Sequence, residues 1–202
     1  EDLKNKILQT QLQLKEQELK FLKMQIHPHF LFNTLNTLYG FALKKADDTP
    51  GMILKLSNLL DYILYQVEKP SVFLIDELDH IEDYISLEKM RFQDSLEIQF
   101  IKGKLVDSFQ IAPMLLIPFV ENSFKHGAII DGALKISIEV STDENGLFFS
   151  IRNSSSTTKN VKEGIGLLNI SKRLEMLYKD NFELKINQEL NEYHVVLKIS
   201  TS

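Results

Sequence analysis

The first third of the chain carries a long amphipathic helical pattern that is interrupted by a proline. Apolar residues recur at heptad spacing over residues 1–24, in two stripes that suit a coiled coil feeding a helical bundle. Pro28 then lies between His27 and His29, and a proline inside a helix removes a backbone hydrogen bond and clashes with the preceding turn. The helix should therefore bend or break where the sequence presents an imidazole. A plain dimerisation helix is the alternative interpretation of residues 1–24.

Two more helices are predicted before the pattern changes. Helical spacing resumes after the proline and runs to about Leu43, and a second helix with an apolar face ends by Pro70. We predict that the two form an antiparallel hairpin, which would make a four-helix bundle if the chain dimerises. A third, linking helix is predicted from about Asp76 to Arg91. The resulting domains are a helical hairpin in residues 1–70 and a second domain in residues 71–202.

The second domain mixes strand and helix patterns. Alternating or apolar runs predict strands at residues 96–100, 134–140, 147–151, 182–186 and 193–199. Helical patterns predict one helix at residues 113–126, opened by Pro113, and another at residues 166–179. This order predicts an α+β fold in which an antiparallel-rich sheet lies under helices.

Composition excludes several classes of protein. The absence of cysteine excludes a disulfide framework and thiolate zinc sites, and a net charge of -5 argues against non-specific binding of nucleic acid. No apolar run approaches the roughly 20 residues that a membrane-spanning helix needs. The sequence begins inside a helical pattern without a methionine, so we expect it to be a piece of a longer protein.

Polar side chains recur four residues apart on the helix predicted at residues 113–126. Glu121 is followed by Lys125, and Asn122 by His126, so these groups are predicted to line one face. An amide oxygen can ligate Mg²⁺, a carboxylate can orient a metal-bound water, and lysine supplies positive charge for a phosphate. An amphipathic helix with a solvated polar edge is the alternative interpretation.

A pair of glycines precedes the last predicted helix. Gly164 and Gly166 let the backbone approach a phosphate, and the helix that follows offers free N–H groups at its start. Asn169 and Arg173 lie on its first turns. Glycines in this position also occur as simple turn residues, and no βαβ unit surrounds them, so this is not a dinucleotide-binding motif of the Rossmann type.

Together these segments resemble the LytS/YehU-type sensor histidine kinases of the GHKL ATPase superfamily. Residues 25–36 are similar to the family's phosphoacceptor motif, residues 120–127 to its N box, and residues 164–174 to its second glycine box. Arg91-Phe92 matches an Arg-Phe pair near the end of the family's linking helix. The resemblance covers residues 22–197 and implies a dimeric helical hairpin followed by a GHKL (Bergerat) α/β sandwich that binds ATP.

The resemblance also implies which histidine reacts. In this family the histidine after the proline is phosphorylated, which corresponds to His29. An imidazole with an ordinary pKa of about 6.5 is available as a neutral nucleophile near pH 7. Asn33, one turn further on, could orient the imidazole or a hydrolytic water. His27 is the competing candidate for the acceptor.

The resemblance to the N box and the second glycine box implies roles for the remaining site residues. By analogy with the family, Asn122 would ligate Mg²⁺ and Glu121 would polarise a metal-bound water. Lys125 and His126 would face the phosphates or the ribose. Contacts along the ATP lid and at the phosphate end would come from Gly164, Gly166, Asn169 and Arg173.

One departure from the family pattern concerns the adenine pocket. The superfamily's first glycine box has an aspartate that accepts a hydrogen bond from the adenine amino group, and Asn153 takes its place here, without the following glycine. An amide oxygen can still accept this bond, but charge-assisted hydrogen bonds are roughly twice as strong as neutral ones. We therefore expect weaker ATP binding, with a short polar lid at about residues 154–163.

The function implied is that of the cytoplasmic kinase core of a two-component sensor. It would be a homodimer that uses ATP and Mg²⁺ and passes the phosphoryl group to a response regulator, usually one with a LytTR DNA-binding domain. Direct binding of nucleic acid is not expected, and the full-length protein would reach the membrane through segments absent from this sequence. A non-catalytic signalling scaffold with poor nucleotide binding is the first alternative. A GHKL ATPase of the chaperone or topoisomerase type is the second.

Overall fold

The computed structural model describes Lys6 and residues 28–66, 69–156 and 165–200. The coiled coil predicted for residues 1–24, together with His27 and Gly164, lies outside the described residues. Within the part that is described, no helix combines the length and the apolar character needed to cross a membrane.

Two helices form the predicted hairpin. Helix α1 is described over Pro28–Leu43 and helix α2 over Thr49–Tyr65. The turn between them contains Lys45 at a φ of 53°. Helix α2 has a proline in its first turn, where the missing N–H has no helical partner to lose, and it ends at Tyr65, several residues before Pro70.

Helix α3, Leu74–Phe92, connects the hairpin to the rest of the chain, as the sequence predicts. Its fully buried side chains Leu78 and Ile81 recur at helical spacing, and they belong to one apolar core that extends from the hairpin to the sheet. Acidic residues occupy the first turn and basic residues the last turn, which suits the helix dipole. Helix α3 packs against α2 and also contacts α1.

A short strand β1, Val72–Phe73, precedes α3, and the remaining strands follow it. They are β2 (Leu96–Lys102), β3 (Gln110–Ile111), β4 (Ile129–Ile130), β5 (Ala133–Asp143), β6 (Gly146–Ser154), β7 (Phe182–Glu189) and β8 (Glu192–Ser200). The main sheet has the order β2-β5-β6-β8-β7, and β4 also pairs with β5. Strand β2 runs parallel to β5, whereas the other pairs are antiparallel.

Helices α4, Ile117–His126, and α5, Ile165–Tyr178, complete the described fold. Phe119 of α4 meets Phe149 of β6 with ring centroids 5.9 Å apart, so α4 covers the apolar face of the sheet. The α+β prediction is therefore confirmed. The prediction that Pro113 opens this helix is wrong, because a loop in which Met114 has a φ of 56° precedes Ile117.

Candidate functional site

Helix α4 places one acidic side chain inside the protein. Glu121 is only 9% exposed, although Phe119 and Val120 already form the apolar face of the same helix. Burial raises the pKa of Glu121 to about 8; the nearby charge of Glu88 adds to this rise, and Lys125 opposes it. The site therefore holds two carboxyl groups close together, one from α4 and one from α3.

Glu88 has two partners on its own helix. Arg91 Nη2 lies 2.6 Å from Glu88 Oε2, and the hydroxyl of Tyr84 donates to Glu88 Oε1 over 3.2 Å. Burial raises the pKa of Glu88, whereas the charge of Arg91 acts in the opposite direction. Sequence reasoning missed Tyr84 and Glu88. Their spacing of four residues on a helix that ends in the Arg-Phe pair is the signal that could have identified them.

The predicted single polar face of α4 is divided in the structure. Asn122 is half-buried, while Lys125 and His126 are exposed at the end of the helix. Glu121 is buried near Glu88 of α3 and remains within reach of the charge of Lys125. The amide predicted to bind Mg²⁺ thus borders the exposed part of the helix, and the carboxylate borders the buried part.

Asn153 of β6 lies where the chain leaves α4. A Cβ atom added at Gly127, the residue after α4, would lie 3.4 Å from Asn153 Nδ2. This Nδ2 donates to the carbonyl of Ser154 over 3.0 Å, and Asn153 Oδ1 is buried without a hydrogen-bond partner among the described residues. A buried acceptor of this kind fits a donor from a ligand, such as the adenine amino group, because an unpaired buried polar atom is costly.

Helix α5 carries the remaining predicted residues. Gly166 lies in its first turn, and Asn169 is half-buried. Arg173 is buried, and its guanidinium donates to the carbonyl oxygens of Pro113 and Met114, the latter over 2.8 Å. These bonds tie α5 to the loop before α4. The phosphate contact proposed for Arg173 stays a prediction.

An aromatic stack links the helix of His29 to α4 through α3. Phe30, the residue after His29, stacks on Tyr84 with ring centroids 4.7 Å apart and an interplanar angle of 29°. Tyr84 in turn meets Phe124 of α4 edge to face at 5.6 Å. Asn33 is half-buried on α1, and its backbone carbonyl accepts a hydrogen bond from Thr37 Oγ1 over 2.9 Å.

A cavity of about 1010 Å³ is lined mainly by residues of β2, β5 and β6. Cross-strand neighbours such as Lys135, Glu139 and Arg152 contribute to it, and α4 and α5 contribute no lining residue. The site proposed from the sequence therefore does not coincide with this cavity, although Asn153 belongs to both.

Known proteins that are similar to this chain are histidine kinases. A family model described as histidine kinase matches residues 17–96. Sensor histidine kinase BtsS of Escherichia coli strain K12 is 28% identical over 186 residues, which cover 89% of this chain and 32% of that protein. Sensor protein LytS of Bacillus subtilis strain 168 is 28% identical over 200 residues, covering 92% of this chain and 34% of that protein.

The chain thus spans about a third of the length of these curated relatives. Among solved structures, the histidine kinase domain of the blue-light activated histidine kinase EL346 from Erythrobacter litoralis superposes with a TM-score of 0.50 at 10% identity. That match covers 93% of this chain and 95% of the other. At this sequence identity it supports the fold alone. Motifs and relatives agree that the chain is similar to sensor histidine kinases of the LytS type.

Proposed function

We propose that this chain is the kinase core of a two-component sensor, which phosphorylates itself on His29 with MgATP. The observation that carries the proposal is the aromatic stack. Phe30 lies beside His29, and Tyr84 links it to Phe124, two residues beyond Asn122 on α4. The phosphoacceptor helix and the proposed nucleotide helix therefore both pack on Tyr84 of α3 within one chain.

The chemistry requires positioning more than covalent help from the protein. An unprotonated imidazole nitrogen of His29 forms a bond to the terminal phosphorus of ATP, while the bond from that phosphorus to the ADP oxygen breaks and ADP leaves. Asn122 is the residue that would hold Mg²⁺, which when bound neutralises phosphate charge. Glu121 would orient a metal-bound water, and Asn153 Oδ1 would accept from the adenine amino group. Lys125 and His126, exposed beside Asn122, are suited to the phosphates or ribose.

The proposed partners are a second copy of this chain and a response regulator. Residues 1–70 would dimerise as a four-helix bundle, and residues 71–202 would bind the nucleotide. The exposed apolar side chains of the hairpin support this division, since apolar patches mark interaction surfaces. The phosphoryl group would then pass to an aspartate of a response regulator, of the LytTR type by family analogy. The kinase core would work in the cytoplasm, as part of a longer membrane protein.

Labelling with radioactive ATP and Mg²⁺ tests the proposal. We expect acid-labile, alkali-stable label on the wild-type chain. The label should disappear in His29→Gln and persist in His27→Gln, a matched control that removes the other imidazole beside the proline. Asn122→Ala should also abolish the label, because the proposed metal ligand is lost, and circular dichroism should show an unchanged fold.

Two results would overturn the proposal. Label that survives His29→Gln would place the acceptor elsewhere. No label on the wild type at millimolar ATP would favour the non-catalytic scaffold instead.

A further inference from the structure

The loop before α4 is held from two sides by buried charges. It covers residues 112–116, all of which are buried, and its strained residue Met114 has a φ of 56°. The residues just before it, Gln110–Ile111, pair with β1 at the start of α3. The course of the chain into α4 is thus fixed against α3 before the helix begins.

Glu77 of α3 holds this loop from one side. Its carboxylate is fully buried and accepts hydrogen bonds from the backbone N–H groups of Met114, over 2.9 Å, and Leu116, over 3.0 Å. A third donor is the hydroxyl of Tyr62, which lies on α2 in the hairpin. A buried carboxylate is tolerated only when its oxygens are bonded in this way, so all three donors are needed to keep it in place.

Helix α5 holds the same loop from the other side. Arg173 donates to the carbonyls of Pro113 and Met114, and the backbone N–H of Ala112 donates to the hydroxyl of Tyr178 over 3.0 Å. Two N–H groups of the loop, those of Met114 and Leu116, therefore point at an anion on α3, and two carbonyls point at a cation on α5. This arrangement resists any shift of the loop relative to either helix.

We propose that Glu77 is a positioning residue that couples the helical hairpin to the nucleotide-binding helix α4 through Tyr62. The inference rests on the proposed function. Tyr62 moves with the hairpin, and the two backbone N–H groups move with α4. A displacement of α2 along α3 must therefore break the Tyr62 bond or pull on the loop that sets the position of Glu121 and Asn122.

The chemistry of Tyr62 suits a permanent donor. Burial, with the charge of Glu77 adding to it, raises the pKa of Tyr62 above its ordinary value, so its hydroxyl keeps the proton at physiological pH. The ring of Tyr62 also packs on His80 with centroids 3.8 Å apart, which fixes its orientation.

Tyr62→Phe is the sharpest variant, because it removes one hydroxyl and keeps the ring. Tyr65→Phe is the matched control, since Tyr65 lies one turn on in α2 and is exposed. In the wild-type dimer and both variants, the KM for ATP and the rate of His29 labelling at saturating ATP are measured. For Tyr62→Phe we expect a KM within twofold of the wild type and a rate at least fivefold lower, with Tyr65→Phe unchanged.

Glu77→Gln tests the other half of the coupling. An amide cannot accept from all three donors with a full charge, so the loop should loosen. We expect both a raised KM and a lowered rate, and the double variant with Tyr62→Phe should be no slower than Glu77→Gln alone, because the two act through one path.

A spectroscopic measurement separates coupling from mere stability. The amide ¹H–¹⁵N resonances of Met114 and Leu116 should shift in Tyr62→Phe and stay in place in Tyr65→Phe. A Tyr62→Phe protein that melts earlier but keeps the wild-type rate and unshifted amides would overturn the inference. If the wild type itself carries no label, the proposed function fails, and the amide shifts alone decide the coupling.

Discussion

Asn153 is the side chain that we propose to meet the adenine of ATP. Its buried Oδ1 has no partner in the described part of the chain, and it lies beside the end of α4. Asn153→Asp should tighten ATP binding about three- to tenfold, because the bond to the adenine amine becomes charge-assisted. Isothermal titration of ATP into both proteins measures the change. Asn187→Asp, which adds the same charge at an exposed position of β7, should leave the affinity unaltered.

An equal dissociation constant for Asn153→Asp and the wild type would show that this side chain does not meet adenine.

His80 gives the stability of the protein a dependence on pH. It is buried beside Tyr62, and burial lowers its pKa from 6.5 to about 4, with Asp83 opposing the change. Between these values the unfolded chain binds the proton and the folded chain does not, so stability is lost as the pH falls from about 6.5 towards 4. From pH 7 to pH 5 we expect the free energy of unfolding to drop by about 1–2 kcal/mol from this group.

Urea unfolding at the two pH values measures this drop, and His80→Gln should reduce it. An identical pH dependence in His80→Gln would assign the loss of stability to other groups.

Buried acids are the residues that sequence reasoning places least well. The motif identified Glu121 and Asn122, whereas Glu77 lies in the first turn of the linking helix, where the helix dipole alone accounts for an acidic residue. Asp76, Glu77 and Asp79 have the same residue chemistry, and only Glu77 among them is fully buried. The difference arises from the loop at residues 112–116, which is distant in sequence and supplies the hydrogen-bond donors.

At the scale of elements, α4 ends in a contact that requires glycine. A Cβ atom at Gly127 would lie 2.4 Å from both Leu134 Cδ1 and the carbonyl oxygen of Ser123. Its φ of -62° is ordinary, so the obstacle is space and not backbone strain. Gly127→Ala should therefore lower the free energy of unfolding by about 1–3 kcal/mol, because Leu134 and the last turn of α4 must move apart to make room for the methyl group.

Gly40→Ala is the control, since nothing lies within 4 Å of its added Cβ in α1. It should be neutral or stabilise the helix by up to about 1 kcal/mol. Denaturant titration compares the two, and a Gly127→Ala protein as stable as the wild type would contradict the steric argument.

Elements with a strong period were predicted well. The runs in β5 and β8 and the apolar face of α2 predicted the right type of element. The predicted start of α4 was wrong. Pro113 predicts the first residue of a helix because proline is common at that position. The hydrogen bonds from Glu77 and Arg173 fix a loop there instead, and local sequence carries no information about them.

At the scale of the whole molecule, the exposed apolar surface of the hairpin is the proposed dimer interface. On α1, Phe32, Leu35, Tyr39 and Leu43 are between 46% and 67% exposed and recur at helical spacing. Such a stripe is expected to pack against a second copy in a four-helix bundle. Replacing both Leu35 and Tyr39 by Glu should raise the dissociation constant of the dimer at least tenfold, as measured by sedimentation.

The control is Ile101→Glu, on strand β2, which adds a charge at a position of similar exposure outside the hairpin. It should leave the dimer intact. A Leu35→Glu/Tyr39→Glu chain that still sediments at twice the mass of 23.4 kDa with unchanged affinity would exclude this face as the interface.

The order of strand and helix patterns along the sequence predicted a sheet covered by helices. It did not predict the direction in which β2 pairs with β5. Alternation in β2 shows which side chains face inward, but it is the same for either direction of pairing. Its parallel alignment with β5 depends on how α4 and the intervening loops cross the sheet, which no local pattern specifies.

That parallel alignment has a practical consequence for anyone who isolates the nucleotide lobe. A chain shortened to begin after Lys102 would lack β2 and leave one side of β5 with unpaired N–H and C=O groups. Open edges of this kind recruit strands from other molecules. Such a fragment should precipitate or form aggregates, and a usable nucleotide lobe must start upstream of Leu96.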